Sequence, residues 1–244
     1  LATGIPSSSA LRDQISQLYD QTGDFSQITP LVDDFMTQQM LQNEKGVSGV
    51  LQAIYINGFS SDLTDLEADQ LVRKLNSLLP KDIAINNIHK VKDDVSTRFD
   101  AVSRAYVYKI HQSKNPFNDL LSYQFNRPLD IEAMNECCAL IKSWTDFEAM
   151  SKVKTQVNNF NCEIFHALWE KQNEALHFSV SANRFLRGMI RALVGTMLEV
   201  GQHQLTLADF KSILESKDRK RAGRAVPAHG LYLRDIIYPK EVFL

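Results

Sequence analysis

One stretch limits this chain's folding options more than any other. Between residues 182 and 201, Phe185, Met189, Leu193 and Met197 recur every fourth position, and Leu186, Ile190, Val194 and Leu198 repeat the pattern one step on. Apolar residues at that spacing cover a broad face of an α-helix, to be buried against a sheet. The same stretch carries Arg184, Arg187 and Arg191, charges that a core helix does not need. Arg187 and Arg191 stand four apart, which is expected to place them on one side of the helix. Two readings follow: arginines that snorkel along the core edge, or a positively charged site on a rigid support.

Other signals place further elements. Thr64 and Glu67 form a capping box for a helix running to about Leu79, with Leu71, Val72, Leu75 and Leu78 inward and Pro80 as its stop. Ile83 with Ile85, and Tyr106 with Tyr108 and Ile110, alternate with other residues and predict two strands. Asp130 predicts a cap for a helix holding Ile131, Met134, Cys138 and Ile141 at near-helical spacing. Residues 162–169 and 176–180 read as a hairpin with Gln172, Asn173 and Glu174 near its tip. Thr206 caps another helix, with Leu207, Phe210, Ile213 and Leu214 inward, and residues 231–238 make a last strand. Residues 1–42 read as helical, with Leu11, Ile15 and Leu18 in one helix and Leu31, Phe35 and Met40 in the next. Helices interleaved with hairpin strands predict an α+β fold with a mostly antiparallel sheet.

Composition narrows the function classes. The 244 residues, 44% of them hydrophobic, suffice for one large domain or two joined halves. No apolar run reaches membrane-spanning length, and residues 1–9 lack the basic-then-apolar build of a secretory signal. Cys137, Cys138 and Cys162 are too few and poorly spaced for a disulfide scaffold or a zinc site. They read as small apolar packing residues in a reducing cytosol. A net charge of −2 does not advertise nucleic-acid binding. Contact with RNA would need a local basic surface, for which Arg219, Lys220 and Arg221, with Lys217 and Arg224 beside them, are the candidates. Such clusters after a helix are more often solvated loops.

The motifs themselves resemble a known family. The run from Ala182 through Asn183, Phe185, Leu186, Arg187, Met189, Arg191, Val194, Gly195, Thr196, Glu199 and Gly201 is similar to the A-N-A-F-L-R-x-M-V-R-x-I-V-G-T-L-x-E-V-G helix of the bacterial tRNA pseudouridine synthase A family, with Arg184 where the family has Ala. Leu75-Asn76 with Leu79-Pro80 and Asp82-Ile83-Ala84 resembles its L-N-x-x-L-P-x-D-I-A. Arg98-Phe99 and Arg104-Ala105-Tyr106-Val107-Tyr108 resemble its A-R-F-x-A-x-x-R-x-Y-x-Y. Asn115-Pro116-Phe117, Pro128-Leu129-Asp130, Met134-Asn135-Glu136, and the closing Pro227-Ala228-His229-Gly230-Leu231-Tyr232-Leu233 with Tyr238-Pro239 follow in the family's order. The likeness runs from about residue 62 to the end. Before it, Tyr19-Asp20-Gln21-Thr22 only faintly resembles the family's Y-D-G-T. Its G-R-T-D-x-G-V-H-A aligns at residues 43–49, with Glu44 where the family has Asp and Gln42 where it has Arg.

The resemblance implies two related sheet-and-helix halves around a central cleft, here divided as 1–103 and 104–244. It also implies isomerisation of uridine to pseudouridine in the anticodon stem-loop of tRNA, with no cofactor and no metal, by a cytoplasmic homodimer. In that chemistry the bond from ribose to uracil N1 breaks, the base turns, and a new bond forms through C5. By the alignment Glu44 is the carboxylate, acting as nucleophile or base. Tyr106 is the tyrosine that stacks on uracil and takes the C5 proton, and Arg191 is the arginine at the floor of the site. Arg98 and Arg104 resemble positions near the cleft that hold RNA, and Arg187 is a further candidate for RNA contact. Each residue also has a plainer reading: Glu44 as a solvated loop glutamate, Tyr106 as a cross-strand aromatic, Arg191 as a salt bridge at the core edge. The alternative function is an RNA-binding protein that kept the scaffold and lost the chemistry, motivated by Gln42, Glu44 and the absence of the family's Gly-Trp after Tyr19-Asp20-Gln21-Thr22.

Overall fold

The computed structural model describes residues 65–244 except 80–82, 93, 119, 154–156, 158 and 174, without the side chains of residues 65–67. Glu44, Gln42, the helices expected in 1–42, the Thr64 cap and the Pro80 stop all lie outside the described residues. The chain divides into two compact units. Among the described residues, one holds 65–100 and the tail 239–244, and the other holds 101–238.

In the first unit, helix α1 spans Asp65–Leu78. Leu71 is buried, Val72 and Leu75 are half-buried, and Leu78 is exposed, so the inward face is narrower than the spacing predicts. The strand expected at Ile83 and Ile85 does not form among the described residues. Its groups are already engaged: the Asn76 amide donates to the Ile85 carbonyl at 2.8 Å, and the Ile85 N–H donates to Asn76 Oδ1 at 2.7 Å. A side-chain amide thereby takes both backbone groups that a neighbouring strand would need. The tail pairs with this unit through a bridge between Val91 and Phe243 and bonds from Lys92 N–H to the Val242 carbonyl and Leu244 N–H to the Lys90 carbonyl.

The second unit is a five-stranded sheet backed by helices. Its strands are β1 (Ser103–His111), β2 (Tyr123–Gln124), β3 (Ile164–Gln172), β4 (Ala175–Ala182) and β5 (Leu231–Ile237). The order is β2-β1-β4-β3, with β5 also on β1; only the β1–β2 pair is parallel. The α+β plan with a mostly antiparallel sheet is therefore what the sequence folds into. The predicted hairpin is β3–β4, turning at Asn173, whose φ is 54°.

Helix α2 (Ile131–Lys142) is capped as predicted, the Asp130 carboxylate accepting from the Ala133 N–H. Helix α4 (Leu207–Ser216) carries a capping box in which Thr206 and Asp209 satisfy each other's N–H groups, although Leu207 stays at the surface. Helix α3 (Met189–Gly201) is buried nearly all round, with only Arg191 and Glu199 half-exposed. It packs against α2 and α4, and the Trp169 indole N–H meets Met197 Sδ at 3.3 Å. One long core unites Tyr108 and Ile110 of β1, Phe178 and Val180 of β4, Trp169 of β3 and the inner faces of α2 to α4.

The apolar periodicity overruns the helix. Phe185, Leu186 and Arg187 precede α3, because Gly188 sits at φ 75° as its N-cap. That left-handed turn is open to glycine without strain and ends the helix on its N-terminal side. Arg187 and Arg191 consequently do not share one helix face, which corrects the spacing argument.

Candidate active site

Tyr106 lies on β1, opposite Val180 of β4 and Leu233 of β5, where a bulge between Ala105 and Tyr106 shifts the β5 register. Side chains alternate along a strand, so Tyr106 shares its face with Tyr108 and Ile110. Those two are fully buried, whereas Tyr106 is half-buried at the end of the row. Its ring meets Phe185 edge-on, with centroids 5.2 Å apart at 85°. Burial pushes the Tyr106 hydroxyl above the ordinary tyrosine value, with the nearby Arg104 charge pulling the other way. The phenol is therefore neutral at neutral pH.

Arg191 belongs to the first turn of α3, just beyond the segment that presents Phe185. Its Nε–H donates to the Val226 carbonyl at 2.6 Å, while the Val226 N–H donates to the Arg191 carbonyl at 3.2 Å. Burial pulls its guanidinium below the ordinary arginine value, yet arginine remains charged. Tyr106 touches the β4–α3 connection through Phe185, and Arg191 follows that connection in the first turn of α3.

The other predicted cations are placed differently. Arg104 Nη1 donates to the Ala101 carbonyl at 2.6 Å and the Asn183 carbonyl at 2.7 Å, fastening the start of β1 to the end of β4. Arg187 is exposed, and its carbonyl accepts from the Lys152 N–H. Arg98, in the first unit, is exposed and lies 5.2 Å from the centroid of the Phe99 ring. In the 217–221 cluster, Arg219 turns back on its own loop and donates to the Ala222 and Gly223 carbonyls at 3.2 and 3.1 Å. Arg221 reaches Ser212, and Lys217 pairs with Asp146 at 2.6 Å, whereas Lys220 is exposed.

Sequence reasoning passed over the segment that holds Arg191. Residues 222–228 form a strap across α3. Gly223 N–H donates to Thr196 Oγ1 at 3.0 Å, and the Arg224 N–H engages the Glu199 carboxylate, whose value burial raises and this bond lowers. Tyr108 anchors the far end by donating to the Pro227 carbonyl at 2.7 Å. Gly195 makes the close approach possible, since a Cβ there would stand 1.9 Å from the Arg224 oxygen. A Gly-Thr pair inside an otherwise apolar helix is the signal that a backbone must come near.

All three cysteines are free and buried. Burial pushes the Cys137 and Cys138 thiols up to about 12 and the Cys162 thiol up to about 11, which suits packing and not nucleophilic work. Among the described residues no group of His, Cys, Asp and Glu side chains is arranged to hold a metal ion, and no helix is long and apolar enough to cross a membrane.

Comparison with known proteins shows which family the chain resembles. Residues 145–239 match the family model described as tRNA pseudouridine synthase. A tRNA pseudouridine synthase A of Parabacteroides distasonis is 47% identical over 173 residues, 71% of this chain and 69% of the relative. One from Porphyromonas gingivalis is 46% identical over 74% of this chain and 73% of the relative. The one from Bacillus subtilis is 33% identical, covering 78% of each.

The chain belongs to the tRNA pseudouridine synthase A family. The pseudouridine synthase model covers β3, β4, α3, α4, the strap and β5, so both Arg191 and the loop that holds it fall within the matched region. Tyr106 lies before it, on the strand that the matched β4 and β5 enclose.

Proposed function

We propose that this protein isomerises uridine to pseudouridine in tRNA, and that its target lies in the anticodon stem-loop. The observation that carries the reading is identity of up to 47% with relatives named tRNA pseudouridine synthase A over most of the chain. The rival, a binding protein that lost the chemistry, is motivated by Gln42, Glu44 and the missing Gly-Trp and is not favoured.

In the proposed reaction the target uridine is flipped out of the stack to meet the site residues, with 1–103 and 104–244 proposed as the N- and C-terminal parts of the enzyme. Glu44 supplies the carboxylate that attacks the sugar or ring, or takes a proton from the ribose. Arg191 keeps that carboxylate ionised through the opposite charge and occupies the space the base leaves. Tyr106 stacks on uracil and takes the C5 proton once the new carbon–carbon bond has formed. A neutral phenol can do so only by passing its own proton on, so the step is a relay and not a simple deprotonation. Arg98, Arg104, Arg187, Arg219, Lys220 and Arg221 are proposed to position the RNA. The polar partners that Arg104, Arg219 and Arg221 have within the fold favour contact through rigid, pre-set guanidinium groups over free-swinging charges. We place the enzyme in the cytoplasm as a homodimer, working without metal or cofactor.

The test is incubation with unmodified tRNA followed by carbodiimide labelling and primer extension. Product at catalytic enzyme is expected, and Glu44→Ala should abolish it while tRNA still binds. Absence of product at stoichiometric enzyme, with tRNA bound, would establish the binding protein instead. Activity retained in Glu44→Ala would show that the carboxylate comes from another residue.

A further inference from the structure

We propose that Thr196 is a positioning residue for the reaction, acting on Arg191 through the strap at 222–228. The inference rests on the reading that Arg191 serves the site.

Thr196 is fully buried in the middle of α3. Its hydroxyl donates to the Ala192 carbonyl at 2.8 Å, a bond that threonines in helices commonly make to the preceding turn. What is unusual is the acceptor side. The buried Gly223 N–H points at Thr196 Oγ1 from 3.0 Å, so a side chain of the helix satisfies the backbone of the strap. A valine would fill the same volume but offer that N–H nothing, and an unsatisfied buried donor pushes the backbone away.

The strap transmits that constraint. From Gly223 the chain passes over Gly195, where the Arg224 carbonyl lies against the bare Cα, and reaches Val226. There its N–H and carbonyl both engage Arg191, the carbonyl accepting from Nε at 2.6 Å. A guanidinium is planar, so fixing Nε–H fixes the plane of the whole charged group. Arg219 stiffens the same turn from outside by donating to the carbonyls of Ala222 and Gly223. The hydroxyl of Thr196 therefore sets where the Val226 carbonyl stands, and that carbonyl sets how the Arg191 cation is presented. A displacement of an ångström in such a group can cost about a hundredfold in rate.

The experiment compares Thr196→Val, Thr196→Ser and Arg191→Ala singly, with Thr196→Val combined with Arg191→Ala, in single-turnover reactions on unmodified tRNA. Thr196→Val is expected to slow conversion by about tenfold to a hundredfold with tRNA affinity little changed, and Thr196→Ser to restore it. In the Arg191→Ala background Thr196→Val should add no further loss, because it acts through the missing group. A full-rate Thr196→Val, or losses that multiply in the double variant, would overturn the proposal while leaving Arg191 in the site. A full-rate Arg191→Ala would remove the site reading and the proposal together. The wild-type protein supplies an arm that needs no variant: NMR exchange of the Arg191 Nε–H, assigned by its disappearance in Arg191→Lys. Slow exchange is expected, and exchange as fast as that of a solvent-exposed arginine would overturn the proposal.

Discussion

Tyr106→Phe separates the two roles that a tyrosine on β1 could fill. The ring stays, and with it the edge-on contact to Phe185 at 5.2 Å, so a purely structural tyrosine would tolerate the change. No hydrogen bond among the described residues engages the Tyr106 hydroxyl, and removing it should alter stability by no more than about 0.5 kcal/mol. The kinetic effect should be far larger. Proton transfer by a positioned side chain contributes about 10²- to 10⁴-fold. At about 1.36 kcal/mol per factor of ten, that is roughly 3 to 5 kcal/mol of barrier. Single-turnover conversion of unmodified tRNA, mapped by carbodiimide and primer extension, measures the loss, and filter retention checks that tRNA still binds. Tyr106→Leu serves as the complement. It also removes the aromatic contact, which costs about 0.5 to 1.5 kcal/mol of stability. Conversion by Tyr106→Phe at the wild-type rate would refute the reasoning and leave Tyr106 as a packing residue.

Three further outcomes are expected. Asn135 of α2 donates to the Trp169 carbonyl at 3.0 Å and accepts from the Trp169 N–H at 2.8 Å, so Asn135→Ala should lower stability by about 2 kcal/mol in urea melts; a change below about 0.5 kcal/mol would contradict this. Burial works to raise the Asp146 carboxyl, but the bond from Lys217 and the Glu148 N–H outweigh it and hold the group below its ordinary value. The stability this gives is present above the unfolded carboxylate value, about 3.9, and is lost as pH falls through the folded one. The wild-type and Lys217→Ala melting curves should therefore converge in strong acid, and a gap that persists there would contradict the assignment. Arg187→Ala, at an exposed position off α3, should weaken tRNA binding and reduce its salt dependence without slowing the bound complex; an unchanged salt slope would exclude phosphate contact.

Much of the second unit could be read from sequence because its signals are local. Asp130 and Thr206 cap helices with bonds made within three residues, and the β3–β4 hairpin closes around a short polar tip. The failures share a physical cause as well. Apolar spacing cannot reveal that Gly188 takes a left-handed φ, so Phe185, Leu186 and Arg187 read as helix although they precede it. Ile83 and Ile85 have strand-like alternation, but nothing local shows that the Asn76 amide claims the Ile85 backbone. For the site, resemblance singled out Tyr106 and Arg191, whereas the strap stayed hidden because Thr196–Gly223 and Arg191–Val226 join residues far apart in the chain.

The three cysteines lend themselves to use as internal reporters. Cys137 and Cys138 sit within α2 and Cys162 just before β3, all shut away from water with thiols that hold their protons. A maleimide or a disulfide dye can reach them only when α2 or the start of the hairpin comes loose. The pace of labelling would then follow transient opening of the second unit without any engineered tag. The same seclusion grades oxidative damage: in a folded molecule the thiols are shielded from peroxide, whereas in a chain still emerging from the ribosome or loosened by heat they would be oxidised first.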